Sequence, residues 1–196
     1  MNSIGVIVPQ DRHSQQLDLQ SLLLQDNVIF ITEDFTSESV STLQAELFYL
    51  ASKITPEESK SNPITIYISS PGGEVYELLG LYDVIQLFIK RGYIIETFLL
   101  GKAFSAAAVL LLSGSKGHRF CLEHSSILLH QPSSGTCGTV TDMEVDMNEC
   151  KRLKQILNDI VAKHASSDLI PLMERDAYLT PEEAVKYGII DQIKTE

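Results

Sequence analysis

A chain of 196 residues, 44% hydrophobic and 21% charged, suits one globular domain with a sizeable core. Its 15 Lys and Arg against 26 Asp and Glu give a net charge of −11, which argues against a nucleic-acid or anionic-membrane partner. No apolar run approaches the roughly eighteen residues of a membrane span, and the first residues lack the basic start and apolar core of a signal peptide, so a cytosol-like, cytoplasmic location is expected. Cys121, Cys137 and Cys150 are odd in number and lack metal-type spacing, which points away from a disulfide framework and toward a reducing compartment.

Residues 1–17 mix a short apolar run with polar Gln10 to Gln16 and read as a mobile terminal segment ahead of a single domain over 18–196. Asp18 to Leu24 suits one or two helical turns, and Asn27 to Thr32 a short strand. Thr36 can cap a helix over Ser37 to Ile54, where Val40, Leu43, Leu47 and Leu50 recur at helical spacing. Thr55 to Pro63 reads as a loop. Ile64 to Ile68 is a strand, Ser69 to Gly73 a break, and Glu74 to Lys90 an amphipathic helix ended by Arg91-Gly92. Tyr93 to Leu100 follows as a strand, broken by Gly101 and Lys102. Ala106 to Leu112 is then a short buried helix stopped at Ser113-Gly114. Strand, helix, strand, helix is the alternation of an α/β fold with parallel pairing.

Two short strands, Arg119 to Leu122 and Ser126 to His130, flank Glu123-His124, and a Gly- and Ser-rich stretch runs from Gln131 to Thr141. Thr141-Asp-Met-Glu144 reads as a capping box opening the longest helix, about 141–165, with Met143, Met147, Cys150, Leu153, Leu157 and Ile160 on one stripe. A helix that long projects from a small domain or packs against another chain. Thr180-Pro181-Glu182-Glu183 opens a last helix stopped by Gly188, and Ile189 to Ile193 closes the chain as a strand.

Ser105 stands at a strand–helix junction, with Ala103 and Ala107 as the small residues that let such a turn close. It reads either as a helix cap or as a nucleophile. A nucleophilic serine needs an imidazole base, a carboxylate to orient it, and backbone donors for an oxyanion. His13, His118 and His164 read as surface residues and His124 as a turn residue, whereas His130 ends an apolar strand, a good position for a base. Lys102 is a rival base, more naturally solvated. Ser70-Pro71-Gly72-Gly73 can present free amides at the same sheet edge, so that Gly73 faces Ser105. Nothing in the pattern chooses among Asp142, Asp146, Asp159, Asp168, Asp176 and Asp191 for the carboxylate. A metal site from Cys121, His124 and His130 lacks a second ligand pair, and no cofactor or phosphate-binding motif is present.

Ser-Pro-Gly-Gly after a strand, Ser105 in Gly-x-Ala-x-Ser-Ala-Ala, Leu129-His130-Gln131-Pro132, Glu174-Arg175-Asp176-Ala-Tyr-Leu-Thr and Tyr187-Gly188-Ile-Ile-Asp191 together resemble the proteolytic subunit of the Clp (caseinolytic) protease, in order and spacing, from about Asp18 to Ile193. The resemblance implies a crotonase-like β-superhelix whose long helix is a projecting handle. It implies a serine endopeptidase with Ser105 as nucleophile, His130 as base, Asp176 as the orienting carboxylate, and the Gly73 and Ala106 amides as oxyanion hole. Substrate would lie along Gly72, Phe104, Gln131, Pro132, Gly135, Thr136 and Gly138, with the Gly135 to Val140 stretch pairing to it as an added strand. The partners implied are unfolded polypeptides, further copies of the chain in two stacked heptameric rings, and a hexameric AAA+ unfoldase that hydrolyses the ATP, with residues 1–17 lining the axial pore. A catalytically silent ring subunit and an acyl-CoA-processing crotonase relative are the competing readings. Phe104 stands where the family usually has a small residue, Ala106 where methionine is usual, and Thr65 where an aromatic is common in the unfoldase-docking pocket that retains Tyr67. About three residues fewer than usual separate the long helix from Asp176.

Overall fold

The structure, a computed structural model, describes residues 5–10 and 13–195, with side chains from Asp18 onward. β1 (Gly5–Gln10) and β2 (His13–Asp18) pair antiparallel, Gly5 opposite Asp18 and Gln10 opposite His13. The mobility expected of residues 1–17 falls partly on residues 1–4, 11 and 12, which lie outside the described residues, as does the expected surface position of the His13 side chain. α1 (Leu19–Gln25) starts where Asp18 accepts from the Ser21 amide at 2.9 Å. β3 (Val28–Ile31) leads to α2 (Ser37–Lys53), whose Thr36–Ser39 capping box fixes the predicted start. The loop expected over 55–63 contains α3 (Pro56–Ser59), opened by a Thr55–Glu58 capping box. Four residues show no apolar period, so only the cap could reveal that turn.

β4 (Ile64–Ser70), α4 (Val75–Lys90) and β5 (Ile95–Phe104) form the centre. Gly101 and Lys102 do not break β5 as expected. Between Ile68↔Leu99 and Ser70↔Ala103, β5 advances four positions while β4 advances two, so Leu100 to Lys102 form a bulge with Gly101 at φ 82°. β5 then forks. Its first half pairs parallel with β6 (Arg119–Leu122) and its last three residues with β7 (Ser126–Leu129). α5 (Ala106–Leu112) lies between these elements with all seven residues buried.

α6 (Val140–His164) is the long helix, about 37 Å at 1.5 Å per residue. Its cap is Thr139 with Asp142, not the expected Thr141 with Glu144, because Thr139 is the last extended residue and its hydroxyl meets the Asp142 amide. The apolar stripe divides. Leu153, Leu157 and Ile160 are buried, while Met143 and Met147 are exposed on a tip where residues 140–148 all face solvent. α7 (Leu169–Leu172) and β8 (Ala177–Leu179) are too short for a periodic signal, and β8 pairs antiparallel with β7. α8 (Pro181–Lys186) carries the predicted Thr180–Glu183 box. The final strand, β9 (Gln192–Lys194), lies beside β6, three residues later than the expected start because Asp191 turns inward.

The main sheet runs β3-β4-β5-β6-β9, largely parallel. One face carries Ile29, Ile31, Ile66, Ile68, Leu99 and Cys121 into the core. The other carries a ladder of rings in register across four strands: Phe30 on Tyr67 at 5.1 Å, Tyr67 on Phe98 at 5.3 Å and Phe98 on Phe120 at 6.0 Å.

Arg119, 1% exposed, is the largest fully buried side chain. It donates to both oxygens of Asp191 (Nη2 at 2.7 Å, Nε at 2.9 Å) and to the carbonyls of His164 at 3.1 Å and Leu112 at 3.4 Å. One guanidinium thus serves the C-terminal ends of α5 and α6, where helix dipoles favour a cation. Burial pushes the Asp191 carboxyl up, but Arg119 and the Gly117 and Arg119 amides together bring it below its ordinary value. His164, expected on the surface, is half-buried with Nε2 2.9 Å from the Tyr82 hydroxyl. Burial, then the Lys163 and Arg119 charges, lower its pKa to about 4.

Replacing Asp191 with Ala leaves a buried, uncompensated guanidinium and is expected to cost about 3–5 kcal/mol in urea-unfolding stability. For His164, a folded-state pKa of about 4 against the ordinary 6.5 means its contribution is intact above pH 6.5 and is lost as pH falls toward 4. His164→Gln should therefore lose less stability than wild type when urea midpoints at pH 7 and pH 4.5 are compared.

Candidate active site

The site grows from the end of β5. Ser105 has φ 55° and ψ −121°, a conformation L-residues seldom adopt. Its side chain makes no capping bond to α5, which removes the helix-cap reading. Its amide donates to the Leu128 carbonyl at 2.8 Å, extending the β5–β7 ladder one residue past Phe104. The turn is therefore held on one side by a strand and on the other by α5, with Ala103 and Ala107 buried where larger side chains would block it.

His130 follows β7 directly, and its Nε2 lies 2.8 Å from Ser105 Oγ. Its Nδ1 lies 3.3 Å from Asp176 Oδ1. A carboxylate can only accept, so a ring with its proton on Nδ1 toward Asp176 leaves Nε2 free to accept from the serine hydroxyl. Among the six candidate carboxylates, Asp142 belongs to the α6 cap, Asp146 accepts from Thr136, Asp159 from Gln155, and Asp191 is bound to Arg119. Asp168 makes no side-chain capping bond at α7. Asp176 alone among them meets His130 within an ion-pair distance. It is 63% exposed, so its position depends on the chain around it. On the near side, the Gln131 amide donates to the Met173 carbonyl at 2.7 Å and Gln131 Nε2 to the Glu174 carbonyl at 2.9 Å. Lys154 of α6 adds an ion pair to Glu174 at 2.7 Å.

The glycine loop after β4 is pressed against this turn. At Gly72, with φ 94°, a Cβ would lie 2.5 Å from the Phe104 carbonyl oxygen and 2.9 Å from the Ala106 nitrogen. At Gly73, with φ 152°, it would lie 2.5 Å from both the nitrogen and the oxygen of Phe35. Ser70 Oγ accepts from the Gly72 amide and donates to the Glu33 carbonyl. Phe35 completes the clamp, its amide donating to Gly72 O at 2.8 Å and its carbonyl accepting from Glu74 at 3.0 Å. In that parallel bridge the Gly73 amide points away from Phe35. The Ala106 amide is the first of α5 and has no acceptor within the helix. Both can serve an anion near Ser105.

A groove of about 650 Å³ runs from Gly73 and Tyr76 past Pro132 to Gly135 and along α6 at Asp146, Glu149 and Leu153. Of the residues expected to contact substrate, Pro132 and Gly135 line it. Gly72 is buried under the turn, Gln131 is bonded to the chain before Asp176, Thr136 donates to Asp146, and Gly138 leads into the α6 cap. Residues 131–138 form no strand pair with any of the described residues. Phe104 stands edge-on to Tyr178, ring centroids 5.9 Å apart. Lys102 is exposed on the bulge, and among the described residues no three His, Cys, Asp or Glu side chains converge as a metal site. Sequence reasoning missed Phe35 and Tyr178. Phe35 is a lone aromatic between strand and helix, and Tyr178 sits in a three-residue strand.

Gly72→Ala is expected to destabilise the chain by about 1–3 kcal/mol through positive φ and overpacking, and to shift the Ser105 turn against Phe104 and Ala106. Melting temperature and the rate of Ser105 modification by a fluorophosphonate should both fall.

No helix among the described residues is long and apolar enough to cross a membrane. A family model described as Clp protease matches residues 11–196. That span takes in the forked, mostly parallel sheet, the Gly72-Gly73 loop, the Ser105 turn, His130, Asp176 and the long helix, and the chain belongs to the Clp protease family.

Proposed function

We propose that this chain is a serine endopeptidase working as the proteolytic core of an ATP-dependent Clp protease. The carrying observation is the 2.8 Å approach of His130 Nε2 to Ser105 Oγ at a strained turn. Ser105 Oγ attacks the scissile carbonyl as Nε2 takes its proton, and the developing oxyanion accepts from the Gly73 and Ala106 amides. The imidazolium, steadied by Asp176, then protonates the leaving amine. Water, deprotonated by the same nitrogen, releases the acyl group and restores Ser105.

The chamber reading draws support from two surfaces. Val140, Met143, Val145 and Met147 set four exposed apolar side chains among the acidic residues of the outer part of α6, as suits a handle interlocking two rings. Phe30 at the edge of the ring ladder is 41% exposed, and with Tyr67 and Phe98 it suits an apolar docking loop of an AAA+ unfoldase, the partner that would bind the ATP. Unstructured polypeptide would lie in the groove beside Gly73 and Gly135, recognised largely through its main chain.

A fluorophosphonate probe should label wild type at Ser105. His130→Ala should slow labelling and peptide hydrolysis by about 10²–10⁴-fold, and Ser105→Ala should abolish both. Robust peptide hydrolysis by Ser105→Ala would sink the mechanism, and ring assembly without labelling of wild type would favour a silent subunit.

A further inference from the structure

One cross-strand row brackets the three residues of the site. Phe104 of β5 pairs with Leu128 of β7, and Leu128 with Tyr178 of β8, so all three side chains stand on one face at one register. Phe104 immediately precedes Ser105, Leu128 lies two residues before His130, and Tyr178 two residues after Asp176. The outer strands of such a triplet are about 9.6 Å apart, yet the Phe104 and Tyr178 rings meet edge to face with centroids 5.9 Å apart and planes at 86°. Both lean over Leu128, which is left 9% exposed. Tyr178 is 64% exposed; its backbone is paired with Leu128, and Phe104 is the aromatic ring its side chain meets.

The chain on either side of Asp176 is anchored, by Gln131 at Met173 and Glu174 before it and by the pairing of Ala177 with Leu129 after it, yet its carboxylate is largely in solvent. β8, which begins at Ala177, is only three residues long, so its short ladder leaves room for a side-chain contact to fix its pitch. Resting on the peptidase reading above, we infer that Tyr178 is a positioning residue: its edge-to-face contact with Phe104 ties the chain after Asp176 to the strand that ends at Ser105, and so sets the carboxylate against His130 Nδ1. The contact is made by the ring, and Tyr178 Oη has no hydrogen-bond partner among the described residues, so phenylalanine should serve equally well.

The test is a cycle on the full-length protein using fluorophosphonate labelling of Ser105 and hydrolysis of a short fluorogenic peptide. Tyr178→Ala is expected to lower labelling rate and kcat about tenfold, with KM unchanged, and Tyr178→Phe to restore both. Added to Asp176→Asn, Tyr178→Ala should slow the reaction no further, because the carboxylate through which the ring acts is gone. A general packing role would instead slow the wild-type and Asp176→Asn backgrounds by the same factor, and that result overturns the assignment. So does a Tyr178→Ala protein with wild-type kcat. Tyr178→Leu, which keeps an apolar cover on Leu128 without the ring edge, should resemble Ala in rate; a wild-type rate would also overturn it, and a matched melting temperature separates positioning from unfolding. Wild type that fails to label at Ser105 removes the peptidase reading and this one together, whereas labelling that is indifferent to Tyr178 removes this one alone.

Discussion

A Cβ on residue 72 would sit 2.5 Å from the Phe104 carbonyl and 2.9 Å from the Ala106 nitrogen, so the glycine loop and the serine turn occupy nearly the same space. That closeness is possible because the β5 bulge advances the strand by two residues relative to β4 and carries Ser105 past the end of its neighbour. Ser105 then has to reverse direction at once, and it does so with a positive φ held by α5 and the Leu128 carbonyl. Among the described residues, the amides of Gly73 and Ala106 find no backbone acceptor outside the helices and strands. One has its strand partner on the wrong side, and the other begins a helix.

The second constraint is the buried guanidinium. A pair such as Arg119 with Asp191 gives little net stability over an apolar replacement, since desolvation offsets most of the attraction. What it supplies here is convergence. The ends of α5 and α6 and the turn before β9 all present acceptors to one planar group. The long helix is thereby fixed at its C-terminal end, with Leu153, Leu157 and Ile160 adding apolar cover, while its first nine residues stand clear of the domain. From that fixed half Lys154 reaches Glu174, so the helix base also bears on the segment leading to Asp176.

Elements with an apolar period or a turn signal were legible in the sequence: α2, α4, α5, β4 and the general course of α6 and α8. The elements it hid are short. α3, α7 and β8 have three or four residues each, and their existence depends on caps and tertiary contacts rather than on pattern. Glycine misled in one place, because Gly101 reads as a strand breaker while the strand absorbs it as a bulge. Read from the sequence, the cap of α6 falls two residues late, at Thr141, because only the extended backbone at Thr139 marks where the helix begins. His164 looked solvated because it ends a polar helix, but position along a helix says nothing about the Tyr82 hydroxyl brought to it from α4. At the site, the serine junction, the glycine loop and the strand-end histidine could be read from local chemistry. The carboxylate could not, because its choice is a matter of distance between segments 46 residues apart, His130 and Asp176, and resemblance alone selected it.

Phe104 shows how far adjacency in sequence differs from adjacency in space. As the neighbour of Ser105 it reads, in sequence alone, as a wall for a substrate side chain. In the fold, successive residues of β5 face opposite ways, Ala103 goes into the core, and Phe104 turns to the outer face, where its ring is engaged by Tyr178. The groove beside the site is bounded by the Gly73 loop, Pro132 to Gly135, and the carboxylates of Glu74, Asp146 and Glu149, and Phe104, like Ser105 and His130 themselves, lies outside that boundary. A change at position 104 therefore bears directly on the row formed with Leu128 and Tyr178. The groove itself combines that acidic rim and the open main chain at Gly73 and Gly135 with apolar walls from Val75, Tyr76, Pro132 and Leu153, so its shape is set by the glycine loop and α6 rather than by the residue before Ser105.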